Sequence, residues 1–306
     1  MGPGLAPRLR AVLPPTRDGV GASCVSLPPG TWDTITDFLV QRFPAQPRAV
    51  WLGRIHGGEV VDEHGIAVTA QRRYQPHLRV YYYRGLVNEP SIPFEEVLLY
   101  QDEHLAVVDK PHFLPVMPSG KYLQETVLVR LKRKLGLDHI APIHRIDRDT
   151  AGIVMFSLQP RTRDHYHALF REHAVRKTYE AIAPWRADLR FPLTRESRLQ
   201  ATAHFMQQLE VPGPANAVTQ IRLLETRAAL ARYELRPVTG HRHQLRAHMA
   251  ALGLPIKGDG IYPELRPEGQ ADYQHPLQLL ARSIEFKDPL NGLPRRFDSR
   301  RELKFE

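Results

Sequence analysis

The chain has 306 residues, 42% of them hydrophobic and 25% charged, which is the make-up of an ordinary globular protein with room for a large domain and a smaller companion. Its single cysteine, Cys24, excludes a disulfide framework and a cysteine-based zinc site, and no run reaches the ~18 apolar residues that a membrane span needs. A formal net charge of +9, with arginine well ahead of lysine, points to a polyanionic partner, nucleic acid before an anionic membrane.

Residues 1–30 are rich in Pro and Gly and carry arginines without the apolar run of a leader, so they read as an extended arm on a cytoplasmic protein. Thr34 to Phe43 has helical spacing, with Ile35, Phe38, Leu39 and Phe43 on one side. Pro44 and Pro47 end it, and Ala49 to Ile55 reads as a second short helix. GGEVVDEHGIAVTA (57–70) reads as a β-hairpin turning at Asp62–Gly65, and LRVYYYR (78–84) as a further strand. After a Pro-bearing linker, Val97–Tyr100 and Leu105–Asp109 read as strands of a new domain, followed by the loop KPHFLPVMPSG. Glu125–Leu135 is an expected helix carrying Arg130, Lys132, Arg133 and Lys134. GIVMFSL (152–158) is an expected strand, Arg161–Glu172 a helix and RKTYEAIAP (176–184) a strand. Arg222–Thr226 and Leu230–Pro237 read as paired strands, and HRHQLRAHMAALG (241–253) as a helix stopped by Gly253. Strands and helices alternate irregularly, which predicts an α+β domain on a mixed sheet. The expected organisation is an arm (1–30), a small α/β module with its linker (31–90) and a main domain (91–306).

HRIDRDTAGIVMF (144–156) places Arg145, Asp147, Arg148 and Asp149 directly before an unbroken apolar run. Charges so placed call for a structural or a chemical reason. Metal chemistry is a poor candidate despite the 15 histidines. His241, His243 and His248 lack the i, i+4 pair with a glutamate base, and residues two apart on a helix do not share a face. Phosphate-loop chemistry fails too, because there is no G-x-x-x-x-G-K-[ST], and the GDG at 258–260 lacks a third glycine. What remains is a site of Asp, Arg and Tyr that needs neither metal nor cofactor.

Four stretches, VVDKPHFLPVMPSG, HRIDRDTAGIVMFS, RKTYEAI and TGHRHQLRAHMAALGLPIKGDGIY, resemble in that order the successive motifs of the RluA family of RNA pseudouridine synthases. A closing LLARSIEFKDPLNG is similar to that family's terminal strand, so the resemblance runs from about Val97 to Phe297. It implies a pseudouridine synthase fold with a central mixed, largely antiparallel sheet flanked by helices. It also implies an isomerase that turns uridine into pseudouridine in structured RNA, an rRNA or tRNA stem-loop, as a monomer without a cofactor. By the same resemblance Asp147 is the essential carboxylate, attacking C1′ or removing a proton from C2′. Tyr179 stacks on the uracil as acid or base, and Arg246 pairs with Asp147 and keeps it ionised. Arg145 is implied to fill the space of the extruded uridine, with His144, Arg148, Lys177 and the basic helix residues 130–134 adding RNA contacts. Asp149, two positions beyond Asp147, points the other way along an extended chain and is expected in a turn or cap. The family reads an arginine where this chain has His241. The module from about Trp32 to Arg84 resembles a degenerate S4 RNA-binding domain. A second reading is a non-catalytic RNA-binding or ribosome-assembly protein on the same fold; the trio of Asp147, Tyr179 and Arg246 favours the enzyme.

Overall fold

The computed structural model describes residues 14–85, 89–202, 207–266 and 272–305. Its contacts divide the chain into two units, residues 1–89 and 90–306.

In the first unit, strand β1 (Ser23–Ser26), helices α1 (Ile35–Arg42) and α2 (Arg48–His56), and strands β2 (Val60–Asp62) and β3 (Arg79–Tyr82) follow in order. Thr34 starts α1 with a capping box: its hydroxyl accepts from the Asp37 N–H, and the Asp37 carboxylate accepts from the Thr34 N–H. The predicted apolar stripe of Ile35, Phe38 and Leu39 is buried with Trp51 and Ile55 of α2 against Val60 and Val80. Two expectations need correction. Residues 23–26, read as part of the arm, pair antiparallel with β3, so the sheet order is β1-β3-β2. The hairpin turns at Asp62–Gly65, but its return leg forms only a bridge at Ala67, while β3 pairs along the other edge of β2.

The second unit contains β4 (Val97–Gln101), β5 (Leu105–Lys110), α3 (Val127–Leu135), β6 (Ala141–Pro142), β7 (Ala151–Ser157), α4 (Arg163–Arg171), β8 (Arg176–Pro184) and β9 (Leu193–Ala201). It continues with β10 (Gln208–Val211), β11 (Ala217–Arg227), β12 (Leu230–Pro237), α5 (Gln244–Ala251), β13 (Leu279–Lys287) and β14 (Pro294–Asp298). The strands form one sheet in the order β10-β9-β11-β12-β8-β13-β7-β5-β4, with β14 beside β13 and β6 beside β7. Among the described residues only β13 and β7 run parallel, so the sheet is mixed and largely antiparallel. The LLARSIEFK stretch, expected to close the chain, is an inner strand, and β14 follows it.

Every residue of β5 and β7 is buried. Alternate side chains explain the unbroken apolar runs: Ala106, Val108, Val154 and Phe156 pack under α3, while Leu105, Val107, Ile153 and Met155 pack under α4. A fully buried side chain of this size contributes about 1.5–3 kcal/mol. β7 begins at a crowded point. Gly152 has φ +110°, and a Cβ there would lie 2.2 Å from the Ala281 carbonyl oxygen of β13, so only glycine lets the two strands close. That contact fixes the loop 144–150 at the end of the sheet.

Candidate active site

A cavity of about 370 Å³ opens in the second unit, within the usual size range for a small-ligand pocket. Three pieces of chain meet there. The loop before β7 brings Arg145, Ile146 and Asp147, β8 brings Lys177 and Tyr179, and the turn from β12 into α5 brings residues 239–246. Tyr179 is placed by double pairing, opposite Leu235 of β12 and Ala281 of β13. Asp147, Tyr179 and Arg246, separated by up to 99 residues in the chain, therefore line one cavity.

Arg246 is only 2% exposed, yet it carries a charge because two carboxylates hold it. Its Nε and Nη2 donate to Asp259 at 2.8 and 2.6 Å, a bidentate pair, and its Nη1 donates to Oδ2 of Asp147 at 3.2 Å. Burial acts to lower its pKa, but the hydrogen bonds and charge of Asp259, then the charge of Asp147, raise it above the ordinary arginine value. Asp259 is fixed in turn, its Oδ1 accepting the backbone N–H groups of Ile261 and Tyr262. Asp147 is thus tethered through Oδ2; among the described residues its Oδ1 has no partner. Burial first, and the Asp147 charge second, push the Tyr179 phenol above the ordinary tyrosine value, so it stays protonated at neutral pH.

The residues expected to touch RNA divide into two groups. Arg145 is exposed at the cavity, and Lys177 lines it with an amine whose pKa burial lowers; among the described residues neither side chain has a hydrogen-bonding or ionic partner. The others have structural work. His144 borders the cavity, but its Nε2 accepts the Met155 N–H at 3.1 Å and its ring stacks on Phe170. Burial, then the charge of Lys177, lowers its pKa to about 3, so it is a neutral clamp on β7. Arg148 turns away to pair with Asp149 at 2.8 Å, and the Asp149 carbonyl contacts His112 Nδ1 at 2.7 Å. Arg130 donates to the carbonyls of Ile92 and Phe94 and pairs with Glu96 and Glu125, which ties the linker to α3. Lys132, Arg133 and Lys134 lie on α3 outside the cavity lining.

The three clustered histidines diverge, for a reason the helical reading misses: α5 starts at Gln244, so 241–243 form a turn. His241 Nε2 meets the Asn216 carbonyl at 2.7 Å. His248 lies between Ser197 and Thr219, and His243 faces Asp147. Among the described residues no group of three or more His, Cys, Asp or Glu side chains is arranged to hold a metal. Asp259 was not among the sequence candidates, and His243 was weighed there only as a metal ligand. Both lie inside the quoted TGHRHQ…GDGIY motif, and the only available signal was the need of a buried Arg246 for a counter-charge.

A family model described as RNA pseudouridylate synthase matches residues 104–251. The dual-specificity RNA pseudouridine synthase RluA of Haemophilus influenzae is 32% identical over 225 residues, 71% of this chain and 97% of the relative. The tRNA pseudouridine synthase C of Vibrio cholerae is 32% identical over 216 residues, 64% of this chain and 87% of the relative. The solved structure of human RNA pseudouridylate synthase domain containing 1 superposes with a TM-score of 0.56 at 21% identity, covering 69% of this chain and 85% of that one, which speaks for the fold. With four motifs in order, a largely antiparallel sheet ending in one Asp–Arg–Tyr cavity, and relatives matched over most of their length, the chain belongs to the RluA family of RNA pseudouridine synthases, isomerases that convert uridine in RNA to pseudouridine.

Proposed function

We propose that this enzyme acts on a uridine in a tRNA or rRNA stem-loop and that Asp147 is the group that acts on its ribose. The observation that carries the reading is the divided carboxylate, with Oδ2 held by Arg246 and Oδ1 unpartnered in a cavity of nucleoside scale. The names of the Vibrio and Haemophilus relatives support the choice of RNA.

The reaction breaks N1–C1′, turns the uracil and joins C5 to C1′. The proton lost from C5 is balanced by one gained at N1, so no water or cofactor enters the equation. Two routes use Oδ1: attack on C1′ to give a covalent ester, or removal of the C2′ proton to give a glycal. Either leaves Oδ1 to act while Arg246 holds Oδ2. Tyr179 offers its ring face to the detached uracil and its protonated hydroxyl as an acid. A stacked uridine has no room to turn, so the nucleotide must be extruded at a cost of a few kcal/mol. Arg145, exposed and unpaired beside Asp147, offsets part of that cost by stacking in the vacated place, and Lys177 meets a phosphate. The first unit, read as an S4-like module with Arg42 and Arg73 exposed, adds a second RNA contact. No helix among the described residues is long and apolar enough to cross a membrane.

The test is a pseudouridine map of total RNA from cells with and without the gene. We expect a signal at one or a few stem-loop uridines to vanish and to return with the wild-type gene. An unchanged map, together with purified protein inactive on RNA from the deleted strain, would move the reading to an RNA-binding protein.

A further inference from the structure

His243 has no part in the reading above, yet its surroundings prepare it for one. It takes the left-handed backbone conformation (φ 55°, ψ 15°) immediately before α5, a position that asparagine or glycine occupies more readily. Its side chain is 10% exposed and stands edge-on to Tyr262, with ring centroids 5.9 Å apart. Strained positions of this kind persist where the surroundings over-determine them.

The hydrogen bonds around Tyr262 favour one tautomer. The Gln208 N–H donates to the Tyr262 hydroxyl at 2.6 Å and so occupies it as an acceptor. The hydroxyl proton is then available to the neighbouring Nδ1 of His243, at 3.5 Å. An imidazole that accepts at Nδ1 carries its proton on Nε2 when neutral. Burial lowers the His243 pKa, which favours the neutral ring. Nε2 lies 3.7 Å from Oδ2 of Asp147, the oxygen that Arg246 already holds. That is longer than a hydrogen bond, but catalytic contacts of this sort tighten when substrate closes the site.

We propose that His243, kept by Tyr262 as its Nε2–H tautomer, is a positioning residue for Asp147: with uridine bound it donates to Oδ2 beside Arg246 and turns Oδ1 onto the ribose. The proposal rests on Asp147 being the reacting carboxylate.

The experiment measures single-turnover pseudouridine formation and RNA Kd for His243→Phe, His243→Gln, Tyr262→Phe and Asp147→Asn, with folding checked by thermal unfolding. Phe keeps a ring against Tyr262 and loses both nitrogens, whereas Gln carries an amide N–H at about the reach of Nε2. A lost hydrogen bond to a charged group corresponds to a rate loss of about ten- to a hundred-fold. We expect that loss in His243→Phe with Kd within about threefold of wild type, most of the rate restored in His243→Gln, and a smaller loss in Tyr262→Phe. If His243→Phe does not fold, a wild-type rate in Tyr262→Phe joined to an inactive His243→Gln overturns the proposal. A wild-type rate in folded His243→Phe overturns it as well, provided Asp147→Asn is inactive. Equal losses in Phe and Gln with weakened binding would make His243 a packing or RNA-contact residue instead. An active Asp147→Asn would refute the reading beneath the proposal rather than the proposal alone.

Discussion

Removing Asp259 isolates the charge that holds the catalytic carboxylate, and the cost can be worked from the contacts. In Asp259→Ala the guanidinium of Arg246, 2% exposed, loses acceptors at 2.8 and 2.6 Å and keeps only Asp147 at 3.2 Å. Water cannot readily replace them in so closed a place. Breaking a buried pair from one side costs about 3–5 kcal/mol, most of it the penalty on the abandoned charge. The N–H groups of Ile261 and Tyr262 lose their acceptor too, so the upper half of that range is expected. For a unit the size of residues 90–306, this corresponds to a fall in Tm of roughly 8–20 °C. Asp259→Asn keeps one acceptor oxygen and should fall by less. Urea unfolding of the full chain, with m unchanged, reads the difference, and single-turnover assays read the release of Asp147. An Asp259→Ala protein within about 1 kcal/mol of wild type would refute the assignment of Asp259 as the support of Arg246.

Tyr179→Phe keeps the stacking face and loses the phenolic proton, so single-turnover rate should drop by about 10²-fold or more with RNA binding nearly intact; an unchanged rate would make Tyr179 a packing residue. Acid should destabilise the fold through buried neutral histidines, since burial lowers His144 to about 3 and His112 and His248 to about 4. Between the ordinary value of 6.5 and those values the unfolded chain binds more protons than the folded one, so stability is full above pH 6.5 and is lost as pH falls through the window. In His144→Gln, whose side-chain oxygen still accepts the Met155 N–H, the drop in Tm from pH 7.5 to 4.5 should be shallower; an identical drop would contradict the neutral-clamp role. RNA affinity should fall steeply with salt, by about 0.7 log units per contacted phosphate for each tenfold rise, and a salt-independent Kd would contradict phosphate contact by the basic surface.

The charges at the head of the β7 run were legible as a puzzle, and the fold resolves it by dividing them. Arg145 and Asp147 face the cavity; Arg148 and Asp149 pair with each other and turn away. β5 and β7 were legible because strands buried on both faces read as nearly continuous apolar runs. β9 was not, because in LTRESRLQA the less exposed alternate positions include Arg195 and Ser197, so the two-residue burial pattern is not mirrored in hydropathy. β1 was hidden by its Pro- and Gly-rich surroundings, although four residues suffice to pair with β3. Side-chain roles set by distant partners were the least legible. Nothing near Arg130 in the chain announces that Ile92, Phe94 and Glu96 consume its guanidinium, and nothing near Arg246 names Asp259. His144 has a residue type suited to RNA contact but a position that makes it the acceptor of a strand N–H.

The central claim is that one carboxylate, Asp147, does the chemistry on the ribose. The direct measurement is pseudouridine formed by Asp147→Asn under single turnover on RNA from cells lacking the gene, beside wild type and Asp149→Asn. Asparagine keeps the size of the side chain and removes its charge, and among the described residues no second carboxylate lines the cavity to take over. No detectable product from Asp147→Asn, with RNA binding retained and Asp149→Asn still active if folded, is the expected result. Pseudouridine formed by Asp147→Asn at the wild-type rate would contradict the account.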